Sequence, residues 1–446
     1  MTERQDVVLG AGLTGLSAAF AFQQGGEDHW QVYEQAERVG GHARSIVRDG
    51  YTFDYGPHIL FAADAETEDL IRDLLAGNFR AQERQAFIYH HAYDLYTRFP
   101  FQAHLHGLPR QLVADCLIDL VAATEGRARG AFAPANYDEW MRGFFGNAIA
   151  EHLMIPYARK VWTVEPSEMD FNWIDRRVPT PDFARVIAGA LGDDVEQVGA
   201  TADFWYPLEG GIEALPRALG ERVHGIHLNR SLERIDLPER MLHFSDGSAV
   251  AFDHAVYTLP LHKIADLVPS APREVVDACT ALRYQGILCV NIAVDTPSLS
   301  DLHWVYFYED DFPFHRLSFP ANFSPANVPS GKSSLSIEVA YSPDRPVDVD
   351  GLVERTLDAL RTARILHDDH VVEFVDTAPI LPAYVIYDLD HTRNVALIRE
   401  WLGESGITAV GRFGEWQYLN MDHSMRSGRE AARDILSRRV VGGRRA

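Results

Sequence analysis

The chain has 446 residues, long enough for about three domains, with 46% hydrophobic and 24% charged residues. That balance is typical of a folded protein with a large core. It argues against long disorder or collagen-like repeats, and no stretch approaches the ~18 consecutive apolar residues of a membrane span. The formal net charge of −23 disfavours nucleic acid or an anionic membrane as the main partner.

The first 34 residues predict a dinucleotide-binding βαβ unit. A strand is predicted at 6–9, a helix at 16–24 and a second strand at 30–33, which ends at Glu34. The turn after the first strand carries three glycines in the spacing G-x-G-x-x-G, namely Gly10, Gly12 and Gly15. They allow a tight turn, a close approach of backbone to a pyrophosphate at the helix N-terminus, and close packing of helix on strand. Glu34, at the end of the second predicted strand, is placed to accept a hydrogen bond from a ribose hydroxyl.

A second glycine pair, Gly40 and Gly41, lies in the segment 38–45, which also carries Arg44. Together with Glu34, this segment resembles the E-x-x-x-x-x-G-G motif of the large FAD family that includes amine oxidases, protoporphyrinogen oxidase and UDP-galactopyranose mutase. In that family the second pair brings backbone close to the flavin side of the pyrophosphate. The alternative is an ordinary Gly-Gly turn. The resemblance implies that the cofactor is FAD rather than NAD.

The segment Gly56, Pro57 and His58 narrows the resemblance. It is similar to the loop of UDP-galactopyranose mutase that lies against the isoalloxazine ring, which implies that the three residues bind the cofactor and that His58 acts in catalysis. Bacterial mutases usually carry a second histidine three residues later, where this chain has Phe61. The alternative is a structural role for His58, because an isolated histidine is usually structural.

The segment 156–179 resembles the mutase pattern Y-x-x-K-x-W…R-x-P, with Trp162, Arg176 and Arg177 at the functional positions. In that family the segment forms a mobile loop, whose tryptophan stacks on the uracil side and whose arginine reaches the substrate diphosphate. A further family arginine, two residues after the proline, is absent, and the chain has Thr180-Pro181 there. The position and the base of the nucleotide therefore stay open. The alternative is a core tryptophan with solvated arginines.

Two β-rich stretches, 282–295 and 302–307, are followed by an F-x-R-L-S-F sequence that contains Arg316. It resembles the Y-R-S-L segment of the mutases, whose arginine grips the substrate diphosphate. A guanidinium suits that task because it spans two phosphate oxygens and keeps its charge. The alternative is an ion pair between Arg316 and Asp310 or Asp311.

The segment 411–422 resembles the mutase motif G-R-L-x-x-Y-x-Y-x-D-M-D. In the family the arginine contacts the flavin pyrimidine, the later tyrosine contacts substrate phosphate, and the following helix faces the flavin. The resemblance therefore assigns cofactor binding to Gly411, Arg412 and Met421, and catalysis to Tyr384, Tyr418 and Asn420. Asn420 replaces the usual aspartate, which removes one negative charge and keeps a hydrogen-bonding side chain.

We expect an α/β fold, α+β overall, with a Rossmann-type FAD-binding domain, an inserted helical domain and an antiparallel-sheet substrate lobe. The FAD-binding domain is expected to be discontinuous, from residues 1–90, 203–270 and 395–446. The helical insertion with the mobile loop is expected at 91–202, and the β-rich substrate lobe at 271–394.

The resemblance implies a flavin-dependent NDP-sugar pyranose/furanose mutase, in which N5 of reduced FAD attacks the anomeric carbon without net redox change. The residues expected to act in catalysis are His58, Arg177, Arg316, Tyr384, Tyr418 and Asn420, and those expected to bind substrate are Trp162, Arg176, Arg177, Arg316 and Tyr418. The alternative is an FAD-dependent oxidase or desaturase of the protoporphyrinogen oxidase or amine oxidase type. The stretch 285–294 lacks the lysine that amine oxidases often carry, which counts against an amine oxidase.

The expected partner is a nucleotide-sugar substrate, without nucleic acid and without membrane insertion. NAD(P)H or another reductant is a candidate for activating the flavin, and a homodimer is left open. The three cysteines are widely spaced and form no metal-binding pattern, and the N-terminus has no basic stretch before an apolar run. These features predict a cytoplasmic protein without a metal site.

Overall fold

The structure is a computed structural model, which describes residues 4–130, 132–174, 178, 180, 183–192 and 203–443, with side chains as far as Arg438. The strands of this described part form two seven-stranded sheets and two two-stranded ones. The two small sheets pair Ser45–Arg48 with Tyr51–Asp54 and Arg80–Glu83 with Asp203–Tyr206.

The first large sheet contains the predicted βαβ unit. In spatial order its strands are Leu232–Asp236, Met241–Phe244, Ala249–Tyr257, Gln5–Leu9, Trp30–Tyr33 and Ile226–His227, and Ile407–Ala409 also pairs with Ala249–Tyr257. The pairs formed by Gln5–Leu9 are parallel on both sides. Val7 and Leu9 pack into one hydrophobic cluster and Val8 into another, because the alternate side chains of a strand point to opposite faces of its sheet. Both faces of this strand are therefore buried.

The helix after the first strand covers Leu13–Gln24, three residues more than predicted at its N-terminus. It packs against the last helix, Met421–Gly443, at very short range. A Cβ atom added at Gly428 of the last helix would lie 2.0 Å from the carbonyl oxygen of Thr14. A Cβ atom added at Gly15 would lie 1.9 Å from the carbonyl oxygen of Gly10. Glycine is thus required where the first helix meets its strand and where the last helix meets the first.

Five of the seven strands of the second large sheet lie in the part of the chain expected to form the substrate lobe. In spatial order its strands are Val371–Val385, Tyr284–Asp295, Ser333–Tyr341, Arg316–Ser318, Trp304–Tyr306, Ala86–His90 and Leu95–Arg98. Its neighbouring strands are antiparallel except for the parallel pair of Trp304–Tyr306 with Ala86–His90. The strand Ala86–His90 thus joins this sheet although it comes from the first segment of the expected FAD-binding domain.

Helices cover the sheets and fill the insertion. Those outside the insertion are Ala65–Leu75, Ala214–Arg222, Ile264–Leu267, Arg273–Ala281, Pro320–Phe323, Val349–Thr362, His391–Glu404 and Gly411–Gly414, besides the first and the last helix. Those of the insertion are Arg110–Ala128, Tyr137–Phe145, Asn147–Ile149, Ile155–Trp162 and Phe183–Leu191, with a π-helical turn at Ala150–Met154. The expected mixed α/β fold with a helical insertion and a β-rich lobe is confirmed, while the domain limits stay a prediction.

Candidate functional site

The N-terminus of the first helix is open toward the carboxyl ends of the parallel strands. Its N-cap residue is Gly12, no side chain caps it, and its first turn carries no acidic residue. Gly10 has a φ of +100°, which a residue with a side chain rarely adopts. The unpaired N–H groups and the positive end of the helix dipole suit a pyrophosphate. This geometry fits the predicted dinucleotide.

Glu34 lies at the end of the second strand and is buried. Its carboxylate accepts hydrogen bonds from the backbone N–H of Ala11 at 2.7 Å and of Ala36 at 2.9 Å. A carboxylate has about four acceptor positions, so these two bonds leave capacity for a ribose hydroxyl. The bonds also fix the carboxylate beside the glycine turn, where the resemblance places the ribose.

The second glycine pair lies directly against the first turn. The N–H of Gly40 donates to the carbonyl of Ala11 at 2.9 Å, and a Cβ atom added at Gly41 would lie 3.1 Å from the Cα of Gly12. Arg44 closes the same loop by donating from Nε to the carbonyl of Gly41 at 2.7 Å. The backbones of Gly41 and Gly12 therefore lie close together with no side chain between them. The cradle fits a pyrophosphate that continues from the first helix toward a flavin.

Arg412 joins the C-terminal segment to the second sheet. Its guanidinium donates to the carbonyl of Leu419 and to that of Ala383, both at 2.8 Å. Its central carbon lies 4.9 Å from the ring centroid of Tyr384 and 4.6 Å from that of Tyr418, within the range of a cation–π contact. The guanidinium of Arg412 therefore contacts the rings of both predicted tyrosines.

The two tyrosines lie together, with ring centroids 5.1 Å apart. Trp162, the last residue of its helix, contacts Tyr384 edge-on at 5.9 Å and is 7% exposed. The tryptophan is therefore buried, as its alternative interpretation expected, yet it contacts a predicted site residue. Burial raises the pKa of Tyr384, so its hydroxyl remains a proton donor near pH 7.

Arg316 is largely buried and forms a two-point ion pair with Glu338 through Nε and Nη2. His315 also contacts this carboxylate at 3.4 Å. Burial alone would raise the pKa of Glu338, but the charge of Arg316 and the hydrogen bonds from His315 and Arg316 lower it to about 2. The ion-pair partner expected as an alternative, Asp310 or Asp311, is wrong, because the antiparallel pairing places Glu338 opposite Arg316.

The strand register places Arg316 in a row of side chains that crosses the second sheet. Tyr306 pairs with Arg316, Arg316 with Glu338, and Glu338 with Cys289. Residues paired directly across antiparallel strands point to the same face of the sheet. Tyr157, from the helix Ile155–Trp162, packs edge-on against Tyr306 with centroids 5.7 Å apart. The helical insertion therefore closes over the row, and Tyr157, Tyr306, Tyr384 and Tyr418 form what we call the tyrosine cluster.

His58 lies in the loop expected to face the isoalloxazine ring. Its Nδ1 lies 2.6 Å from the carbonyl oxygen of Gly56. A carbonyl oxygen only accepts, so Nδ1 carries the proton and Nε2 is left as an acceptor. Burial, together with the charge of Arg412, lowers the pKa of His58 to about 4, although the hydrogen bond to Gly56 opposes the shift. The imidazole is thus neutral at pH 7.

The remaining predicted residues divide into two groups. Met421 begins the last helix and is buried, and the carbonyl of Asn420 accepts the hydrogen bond from the N–H of Ser424 that closes the first turn of that helix. Arg176 and Arg177 lie outside the described residues. The expected contact of these arginines with a diphosphate therefore stays a prediction.

Several residues of the site were not predicted from the sequence, above all Glu338, Tyr157 and Tyr306. The sequence did contain a signal for Glu338. It is the one charged residue of the strand Ser333–Tyr341, whose other residues are apolar side chains and serines, and a buried carboxylate needs a partner. The two tyrosines gave no comparable signal, since aromatic residues are common in any core.

The described residues show neither a metal-binding cluster nor a membrane-spanning helix. In that part of the chain, no group of three or more histidine, cysteine or acidic residues is arranged to hold a metal ion. Among the same residues, no helix is both long and apolar enough to cross a membrane.

The chain is similar over most of its length to proteins of known family and structure. The sequence model of the flavin containing amine oxidoreductases matches residues 13–436. A crystal structure of reduced UDP-galactopyranose mutase superimposes with a TM-score of 0.91 at 28% identity, covering 98% of this chain and 94% of that one.

Two curated relatives are porphyrinogen oxidases by name. Protoporphyrinogen oxidase 2, chloroplastic/mitochondrial, of Arabidopsis thaliana is 24% identical over 198 residues, which span 41% of this chain and only 38% of that protein. Coproporphyrinogen III oxidase of Staphylococcus aureus is 19% identical over 469 residues, covering 96% of this chain and 98% of that protein.

Proposed function

This chain belongs to the family of flavin containing amine oxidoreductases, and within that family we propose that it is an NDP-sugar pyranose/furanose mutase that works with reduced FAD. The observation on which the proposal rests is the largely buried guanidinium of Arg316, which Glu338 orients beside the tyrosine cluster. The likeness to reduced UDP-galactopyranose mutase over almost the whole chain supports the proposal. Reduced FAD, when bound, supplies a nucleophilic N5 for the anomeric carbon, and the reaction involves no net redox change.

Arg316 is proposed to bind the diphosphate and to stabilise the charge that grows on it as the bond to the sugar breaks. The ion pair with Glu338 uses Nε and Nη2 and so fixes the plane of the guanidinium. A guanidinium has five N–H groups, so Nη1 keeps donors for a phosphate oxygen. Donors that are already oriented stabilise developing negative charge without reorganisation during the reaction.

Tyr384 and Tyr418 are proposed to donate further hydrogen bonds to the diphosphate. Their rings are in contact, and Arg412 lies over both. The raised pKa of Tyr384 keeps its hydroxyl protonated, and a protonated hydroxyl can donate to an anion. Trp162, packed against Tyr384, is proposed to line the substrate side of the cluster, with Arg176 and Arg177 as further proposed substrate contacts.

Cofactor binding is proposed for the three glycines of the first turn, the pair Gly40 and Gly41, Glu34 and the segments around His58 and Arg412. The neutral imidazole of His58 is proposed to accept a hydrogen bond through Nε2 beside the isoalloxazine ring. The proposed need for reduced flavin also requires a reductant, for which NAD(P)H is the first candidate.

The second candidate function is oxidation of a cyclic substrate, as in a porphyrinogen oxidase. The full-length likeness to coproporphyrinogen III oxidase favours it. The likeness to reduced UDP-galactopyranose mutase, at 28% identity against 19% for the oxidase, favours the mutase over this second candidate.

Turnover under controlled redox conditions distinguishes the two functions. We expect dithionite-reduced enzyme, kept without oxygen, to convert at least one member of a panel of UDP-, dTDP- and GDP-hexopyranoses to its furanose form, as measured by chromatography. The oxidised enzyme is expected to be inactive in the same assay. Hydrogen peroxide produced from a porphyrinogen in air, with no nucleotide sugar converted, would support the oxidase and contradict the mutase.

A further inference from the structure

A second imidazole besides His58 lies at the proposed flavin site, on a residue of the segment 38–45 to which the sequence assigned no role. His42 directly follows the glycine pair Gly40-Gly41. Its ring contacts Phe413 edge-on with centroids 5.0 Å apart, and the ring of Tyr55 lies 6.0 Å away. Because Phe413 is the neighbour of Arg412, His42 lies where the loop of Gly40 and Gly41 meets the C-terminal segment 411–422.

The polar atoms of His42 have no protein partner in the described part of the chain. Neither ring nitrogen makes a hydrogen bond there, although the side chain is only partly exposed. The charged and titratable groups that act on the ring are Arg412, His58 and Arg44, of which the two arginines disfavour a second positive charge. Burial, followed by the charge of Arg412, lowers the pKa of His42 to about 3, so the ring is neutral at pH 7 with one donor and one acceptor.

Two hydrogen bonds hold the backbone of the loop that carries His42. Arg44 donates a hydrogen bond to the carbonyl of Gly41, and the N–H of Gly40 donates one to the carbonyl of Ala11 in the first turn. The same loop provides the cradle that fits the pyrophosphate, and His42 follows this cradle directly in the chain. His58 approaches the same space from the loop after Asp54.

We propose that His42 is a positioning residue of the flavin site, which hydrogen-bonds the polar edge of the isoalloxazine ring beside Arg412. The proposal rests on the FAD part of the proposed function and not on the identity of the substrate. A donor at this edge stabilises the reduced ring more than the oxidised ring, because the reduced ring carries more negative charge. His42 therefore raises the flavin midpoint potential and favours the reduced state on which the mutase depends.

The test compares FAD affinity and midpoint potential in purified variants. His42→Phe keeps an aromatic ring against Phe413 and removes the hydrogen bond, whereas His42→Gln keeps an amide donor and acceptor. We expect His42→Phe to raise the Kd of the apoprotein for FAD by about 3- to 10-fold, the effect of one net hydrogen bond, and to make the midpoint potential more negative. His42→Gln is expected to remain close to wild type in both measurements.

His224→Phe is a matched control, because the ring of His224 packs on Trp30 at 4.7 Å, away from the site residues, and is expected to change neither value. Wild-type Kd and potential in His42→Phe would overturn the proposal. Should His42→Phe fail to fold, His42→Asn, whose amide has a shorter reach, replaces it with the same expected weakening and the same overturning result. A wild-type chain that binds no FAD would overturn the proposed function as well, whereas an effect-free His42→Phe in an active mutase would overturn this inference alone.

Discussion

Arg316→Ala is expected to lower kcat/KM for the nucleotide sugar by about 100- to 1000-fold, the usual effect of removing a group that stabilises developing charge. Bound flavin is expected to stay near wild type, because Arg316 belongs to the second sheet and not to the glycine loops. The same change leaves the carboxylate of Glu338 buried without its main partner, and we expect a loss of about 3–5 kcal/mol in the free energy of unfolding. Steady-state kinetics and thermal unfolding measure the two effects separately.

A double variant separates catalysis from stability. Arg316→Leu with Glu338→Leu removes both charges, and replacing a buried ion pair by apolar residues is often neutral or stabilising. We expect this variant to regain most of the lost stability while its kcat/KM stays as low as that of Arg316→Ala. If the double variant recovers activity along with stability, Arg316 acts through the fold and not on the diphosphate.

Gly15→Ala is expected to abolish flavin binding. The added Cβ atom would lie 1.9 Å from the carbonyl oxygen of Gly10 and 3.2 Å from Cγ1 of Val8, so the first helix must move away from its strand. Such overpacking costs about 1–3 kcal/mol and shifts the N–H groups that face the pyrophosphate. The ratio of flavin absorbance to protein absorbance in the purified variant checks the prediction.

Gly403→Ala provides the matched control for that experiment. Gly403 lies in the helix His391–Glu404, and an added Cβ atom would meet no atom within 4 Å apart from the backbone of its own helix and its chain neighbours. Alanine at such a helical position is expected to stabilise the protein by about 0.5–1 kcal/mol and to leave flavin content unchanged. Full flavin content in Gly15→Ala would show that the first turn does not hold the pyrophosphate.

The βαβ unit could be predicted from sequence because its signals are local. The strand, the turn and the helix each depend on neighbouring residues, and the turn at Gly10 needs a backbone conformation that glycine adopts readily. The boundary error at the first helix has a local cause as well. Its first turn, from Leu13, lies inside the glycine motif, which sequence reasoning treated as loop.

The partners of site residues could not be predicted in the same way. Arg316 faces Glu338, 22 residues further along the chain, because two antiparallel strands pair in one particular register. Nearby Asp310 and Asp311 were the plausible partners as long as only sequence distance was considered. His42 reaches Phe413 through the packing of segments from opposite ends of the chain, which no local pattern encodes.

The proposed function depends most on a diphosphate binding beside the flavin at Arg316. The direct measurement is a titration of dithionite-reduced holoenzyme with UDP, followed through the flavin absorbance spectrum. We predict saturable binding that weakens as salt is raised and is lost in the Arg316→Leu, Glu338→Leu variant, since charge-assisted contacts are screened by salt. No spectral response to UDP, GDP or dTDP in the wild type, or an undiminished response in the double variant, would contradict the account.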